Sequence, residues 1–211
     1  TIPLGVKSSK ESGFLAAPGR YSVKMYSKVD GKLNQLSDSQ YFDVVPLRSG
    51  ALPTDDFENI ASFWREYERT VKRASAIQMT VANSLKKIAS MNTALSQSTA
   101  DVGDLDRRLN TLRSSLMEMD EDLSGNRSKM GPGEKTKPTA GSRLFVIQRV
   151  IEYATFGPTQ TAKENLRLAQ NDLDKIESQL NQNSKDLDAL SRRLEKAGAP
   201  WIEGEGIPKN N

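Results

Sequence analysis

The stretch Thr54–Leu95, TDDFENIASFWREYERTVKRASAIQMTVANSLKKIASMNTAL, decides the fold. Phe57, Ile60, Trp64, Tyr67, Val71, Ala74, Val81, Leu85, Ile88 and Leu95 recur on the three- and four-residue spacing of one apolar helical stripe. At about 1.5 Å per residue the helix is roughly 60 Å long. A stripe of that length needs other helices to cover it, and most of the remaining chain is patterned to do so.

The residues after it supply the cover. Ser96–Asp101 is polar and allows a reversal. Val102, Leu105, Leu109, Leu112, Leu116, Met119 and Leu123 then step by three or four, a heptad seam. A short connection between matching seams predicts an antiparallel helical hairpin over about 54–97 and 102–124. Residues 125–141 break the pattern with Gly125, Gly131-Pro132-Gly133, Pro138 and Gly141, and read as a mobile loop. Its Arg127, Lys129, Lys135 and Lys137 are the candidate contacts to an anionic protein partner; a plain solvated loop is the alternative. Ser142 is the expected cap of a short helix over 142–156. That helix is apolar on most sides (Leu144, Phe145, Ile147, Val150, Ile151, Tyr153, Ala154, Phe156), so it is expected to be the most buried.

A last helix is expected over 159–197, capped by Thr159 or Thr161. Ala162, Leu166, Ala169, Leu173, Ile176, Leu180, Leu187, Leu190, Leu194 and Ala197 form its seam, interrupted by Asn183. A polar seam residue fixes register at some cost in stability. Gly198 and Pro200 mark the stop. Trp201 and Ile202 are expected to fold back on the bundle, and 203–211 to form a tail.

Upstream, residues 1–12 carry little pattern. Pro18-Gly19 sets a turn, and Tyr21, Val23 and Met25 alternate with polar neighbours as a half-buried strand does. Asp30-Gly31 signals a hairpin, because both turn positions tolerate positive φ. The return strand spans about 39–46 and ends at Pro46, with Tyr41 or Phe42 and Val44 facing inward. Two strands do not make an independently stable sheet. Either the hairpin leans on the helices, or it is the last pair of strands of an immunoglobulin-like sandwich whose other strands lie upstream. Residues 48–53 form the linker. The opening Thr1-Ile2-Pro3-Leu4, without an initiator Met, suggests a processed product or a fragment.

Composition narrows function. The 211 residues contain 36% hydrophobic and 6% aromatic side chains, which suits the thin core of an elongated bundle. Net charge is +3. Residues 1–50 hold seven basic against four acidic side chains, and 126–157 six against two; residues 51–125 hold nine against twelve, and 158–211 eight against nine. The helices thus interleave both signs, which argues against nucleic acid and against an amphipathic membrane-surface helix. No apolar run reaches the ~18 residues of a membrane span, and no signal peptide is present. Cysteine and histidine are absent, so disulfides, thiolate zinc sites and most nucleophile–base pairs are excluded. Asp104/Asp106, Asp120/Asp122, Asp172/Asp174 and Asp186/Asp188 are spaced by two, which on a helix turns each pair to different sides. No phosphate-cradling glycine loop or calcium loop occurs. The expectation is a chain that is not itself an enzyme, with no catalytic residues, no metal site and no cofactor.

The order of features resembles a known family. Ala17-Pro18-Gly19-Arg20-Tyr21, Pro158-Thr159-Gln160-Thr161 and Ala197-Gly198-Ala199-Pro200-Trp201 look like motifs in the C-terminal region of large bacterial sortilin-like, BNR-repeat proteins, often labelled glycosyl hydrolases. The resemblance implies an exported protein in which a β-propeller precedes this region and carries any active site. It transfers no catalytic residue.

The fold class expected is therefore mainly α: an antiparallel four-helix bundle over 54–202, preceded by a β-hairpin module over 1–47. Trp64, Tyr67, Leu109, Leu112, Phe145, Ile151, Leu173 and Ile176 are expected in one core, which Leu112→Asp should unfold. Three roles follow: an accessory interaction or structural module, part of a carbohydrate-processing enzyme, or a free-standing adaptor that self-associates. The partner is the upstream propeller or another protein, and the seams would serve a homodimer as well as a monomer.

Overall fold

A computed structural model of the chain describes residues 16, 18–45, 57–98, 103–130, 136–153 and 157–200. The chain is mainly helical, with a small antiparallel hairpin region before the helices. The strands are β1 (Gly19–Val23), β2 (Tyr26–Val29), β3 (Lys32–Gln35) and β4 (Gln40–Val44). The helices are α1 (Phe57–Gln97), α2 (Leu105–Ser124), α3 (Arg127–Met130), α4 (Ala140–Tyr153) and α5 (Gln160–Lys196). They form two compact units, one of residues 1–66 and 154–158 and one of 67–153 and 159–211. The division falls inside α1 after Glu66.

In the first unit, β2 and β3 pair across Asp30-Gly31, whose φ values of 49° and 80° are the left-handed pair that a two-residue turn requires. β1 and β4 pair outside them, Gly19 opposite Val44 and Val23 opposite Gln40. The return strand expected over about 39–46 is β4, and the β2–β3 pair next to the turn adds a second ladder to the expected one. Between the ladders, Leu36 N donates to Met25 O (2.8 Å), while the Ser37 hydroxyl accepts from Met25 N (3.0 Å). Two residues on one arm face four on the other, a bulge that ends one ladder before the next begins. In α1, Phe63 and Trp64 pack edge to face at 4.8 Å.

In the second unit, four helices pack so that three lie abreast at each level. α1 and α5 run parallel. Gln170 Nε2 donates to Thr70 Oγ1 (3.2 Å), Arg73 pairs with Asp174 (2.8 Å) and with Glu177, and Lys87 pairs with Asp188 (3.3 Å). α2 runs against both. Asn183 Nδ2 donates to Ser115 Oγ (2.9 Å), Arg193 to Asp104 (2.7 Å), and Gln78 Nε2 to Ser124 Oγ (3.1 Å). α4 continues in the direction of α2 and covers the early parts of α1 and α5. There the Tyr67 hydroxyl donates to Leu144 O (3.1 Å), and Arg143 reaches Asn165 and Asp172.

The core is apolar throughout. Ile77, Val81, Ile88, Met91 and Ala94 of α1 pack with the α2 seam from Leu105 to Leu123 and with Leu173, Ile176, Leu180, Leu187, Leu190 and Leu194 of α5. The α1 seam differs from the expected stripe. Phe63, Tyr67, Thr70, Ile77, Val81, Ile88, Met91 and Ala94 are buried, whereas Ile60, Trp64, Val71, Ala74, Leu85 and Leu95 are only half-buried. Thr70 and Ser84 occupy seam positions, and their polarity hid the true spacing.

Two expected core residues need correction. Phe145 is 58% exposed, because α4 meets α1 and α5 through Leu144 and Ile147 and leaves its outer side open. The Arg149 guanidinium lies over the Phe145 ring at 5.7 Å. Trp64 is half-buried beside Phe63, outside the bundle unit. Tyr67, Leu109, Leu112, Leu173 and Ile176 are buried, and the Ile151 side chain lies outside the described residues.

Helix ends follow from side-chain chemistry. Thr159 (ψ 159°) caps α5, its Oγ1 accepting from Ala162 N at 3.1 Å. Thr159→Ala should cost about 1 kcal/mol, read as a lower urea midpoint with an unchanged slope. α5 ends at Gly198 (φ 73°), with Ala199 N donating to Leu194 O and Gly198 N to Glu195 O, a Schellman stop. α4 is capped by Thr139, not Ser142. Thr139 Oγ1 accepts from Ser142 N while Ser142 Oγ accepts from Thr139 N, a reciprocal box with serine at its third position. The expected caps Thr54 and Asp55, the fold-back of Trp201 and Ile202, and the tail 203–211 lie outside the described residues.

Candidate interaction surface

Among the described residues, most of the exposed large apolar side chains lie in the hairpin region. Val23, Met25, Tyr26, Val29, Leu33, Leu36, Tyr41, Phe42 and Val45 are each between 45% and 73% exposed. Cross-strand partners share a face, so the β1–β4 register sorts them. Tyr21, Val23, Phe42 and Val44 lie on one face; Arg20, Ser22, Tyr41 and Asp43 lie on the other. The Tyr21 and Phe42 rings stack at 6.0 Å, while the Arg20 guanidinium covers the Tyr41 ring at 5.4 Å. On the first face Val23 and Phe42 are exposed, Tyr21 and Val44 are half-buried, and the polar Gln40 stands opposite Val23; the second face carries the Arg20–Tyr41 contact. In the β2–β3 pair, Tyr26 and Leu33 share a face, and Val29 lies on the opposite one.

The bundle's charges are used differently. Asp172 and Asp174 turn to different helices, one toward Arg143 of α4 and one toward Arg73 of α1. The hydrogen bonds that Arg73 donates to Glu177 and then to Asp174 raise its pKa further above its already high value. Arg143 Nε lies 3.6 Å from Asp172 Oδ2, an ion-pair distance longer than a hydrogen bond. These pairs are at least partly exposed, so each contributes little energy but fixes which helix levels meet.

Asp104 joins the start of α2 to the end of α5. The Arg193 hydrogen bond, with Arg108 adding charge, holds its carboxyl below the usual carboxylate range. A carboxyl lowered by folding stabilises the fold above its unfolded pKa, and that support is lost as pH falls through the folded pKa. This junction should therefore weaken below about pH 4. Asp104→Asn should flatten that part of an acid-unfolding curve followed by circular dichroism.

Arg127 and Lys129 fall on α3, a single turn fastened by Asn126 Oδ1, which accepts from Ser128 N (3.0 Å) and Lys129 N (3.3 Å). Lys129 and Lys137 are exposed, and Lys135 lies outside the described residues. Between α1 and α5, an open polar groove of about 240 Å³ is lined by Thr80, Ser84, Lys87, Ser184, Leu187 and Asp188, with the Lys87–Asp188 pair across it. Among the described residues, no group of three or more acidic side chains could hold a metal ion, and no helix is long and apolar enough to cross a membrane.

The alternation marks Tyr21, Val23 and Met25, with Tyr41 or Phe42 and Val44, as inward positions; Tyr21 and Val44 are half-buried, whereas Val23, Met25, Tyr41 and Phe42 are exposed. The alternation misses Leu33 and Leu36, which sit among polar neighbours. No family model, no curated protein and no solved structure matches the chain.

Proposed function

We propose that this chain is a non-catalytic structural or protein-interaction module, the C-terminal accessory part of a larger exported protein of the sortilin-like, BNR-repeat kind. The observation that carries the reading is the exposure of Val23, Met25, Leu36 and Phe42 in the hairpin region, while the helical unit closes its own core. Soluble proteins rarely leave such a patch without a use for it. A bundle held in register by cross-helix pairs suits a spacer.

Dye binding tests the role of this patch. The chain should enhance the fluorescence of an apolar-surface dye, and the double variant Val23→Lys, Phe42→Lys should lose most of that signal while keeping its helical circular dichroism. A wild-type chain that does not enhance the dye would sink the reading. A carbohydrate-processing role, with this chain lining a propeller's active cleft, is the second reading, favoured by the hydroxyl-rich groove at Lys87–Asp188. It predicts that Asp188→Asn in the parent protein lowers kcat/KM on glycosides, whereas the accessory reading predicts no change.

A further inference from the structure

We propose that the outer face of α2 is a docking surface for a second copy of this chain, packed antiparallel about a two-fold axis at Ser114. Such pairing is independent of what the hairpin region does.

The charges of α2 run largely against its own dipole. Asp106 suits the first turn, but Arg107 and Arg108 beside it do not, and Glu121 and Asp122 stand in a last turn that holds no base. Residues 107–113 hold three arginines and no acid, whereas residues 118–122 hold four acids and no base. The two signs are thus sorted into opposite halves of one helix, and an antiparallel copy of that helix complements them. Elsewhere in the bundle Arg73, Lys87 and Arg193 meet acids across helices. Among the described residues, Arg107 and Glu118 join no such pair, and Glu121 is met by the neutral Asn126 amide at 3.1 Å.

Spacing puts both signs on one stripe. Arg107, Thr111, Ser114, Glu118 and Glu121 step by four and three, and all are exposed. The buried seam of Leu109, Leu112, Leu116 and Met119 takes the other side of the helix. A stripe with this period is how two helices pack side by side. A two-fold axis at Ser114 matches positions seven residues to either side of it. Arg107 of each copy then stands opposite Glu121 of the other, with Glu118 within reach, and the small Ser114 lets the helices approach at the centre. Met117, 51% exposed, lies at the margin of the stripe and gains cover. Two helices about 30 Å long bury less than the ~1,200 Å² of a standard interface. Exposed ion pairs also contribute little each, so the dimer is weak and salt-dependent.

Sedimentation equilibrium of the 211-residue chain tests the pairing. In low salt a monomer–dimer equilibrium should appear below about 1 mM chain, and about 0.5 M salt should weaken it ~10-fold or more. Arg107→Glu and Glu121→Arg should each weaken it more than about 10-fold. Both side chains are exposed, so helical circular dichroism should be unchanged. The double variant restores opposite charges at both contacts and should dimerise as the wild type does. An equimolar mixture of the two single variants should form a heterodimer, because every facing pair is then again of opposite sign. A chain that stays monomeric at about 1 mM in low salt overturns the proposal. A dimer that survives both single reversals overturns it too, and its loss in Val23→Lys, Phe42→Lys would move the contact to the hairpin region. A double variant that remains monomeric overturns the two-fold arrangement.

Discussion

Leu109→Asp is expected to abolish the cooperative helical melt or to lower its midpoint by more than 10 °C. Leu109 is fully buried in the middle of α2, within the core that α1, α2 and α5 build together. Truncating a buried leucine to alanine alone costs about 2–5 kcal/mol. A carboxylate adds desolvation with no partner, since the bundle's cations lie on the outside of the seam. Against a total stability of about 5–15 kcal/mol this is a large fraction. In a chain of this size 1 kcal/mol moves the midpoint by about 2–4 °C. Leu112→Asp in the same seam should cost less, because Leu112 is 8% exposed and a charge there has a route to water. Thermal circular dichroism checks both; an unshifted Leu109→Asp curve would remove α2 from the core.

The second large effect is expected at the joint between α2 and α4. Gly141 lies in the first turn of α4, and a Cβ built there would fall 2.7 Å from the carbonyl oxygen of Leu123. That oxygen belongs to backbone near the end of α2 and cannot swing aside as a side-chain tip would. On helix propensity alone, Gly141→Ala should stabilise α4 by up to about 1 kcal/mol. The close approach reverses the sign. Overpacking of this kind costs about 1–3 kcal/mol, so the variant should be destabilised, and Gly141→Val more so. A urea midpoint that rises in Gly141→Ala would show that the two helix ends can part without loss.

Much of the architecture is legible in residue spacing, and the exceptions have physical causes. The seams of α2 and α5 show plainly because nearly every inward position is Leu, Ile, Met or Ala, and even the polar Asn183 falls in step, with Ser115 to receive its hydrogen bond. The α1 seam is harder to see. Thr70 sits inward with Gln170 as partner, and Met91 and Ile77 carry the spacing that the louder Trp64 and Leu85 obscure. The apolar character of α4 suggests full burial, but sequence does not say how many neighbours a helix has. With α1 and α5 along its inner face and α2 only at its start, Phe145 and Val146 stay outside. The hairpin turn is written in Asp30-Gly31, whereas the bulge depends on one hydroxyl, Ser37, reaching the Met25 amide.

The parallel course of α1 and α5 has a mechanical consequence. The chain enters the bundle at the start of α1 and leaves it at the end of α5, so the two points lie at opposite ends of the long axis, roughly 45 Å apart at 1.5 Å per residue. Tension between them pulls α1 and α5 in opposite directions along their shared seam. Contacts from Thr70–Gln170 to Lys87–Asp188 would then be sheared together, not peeled one at a time. Simultaneous loading spreads the force over many interactions, so the bundle should behave as a stiff tie between whatever is attached at its two ends.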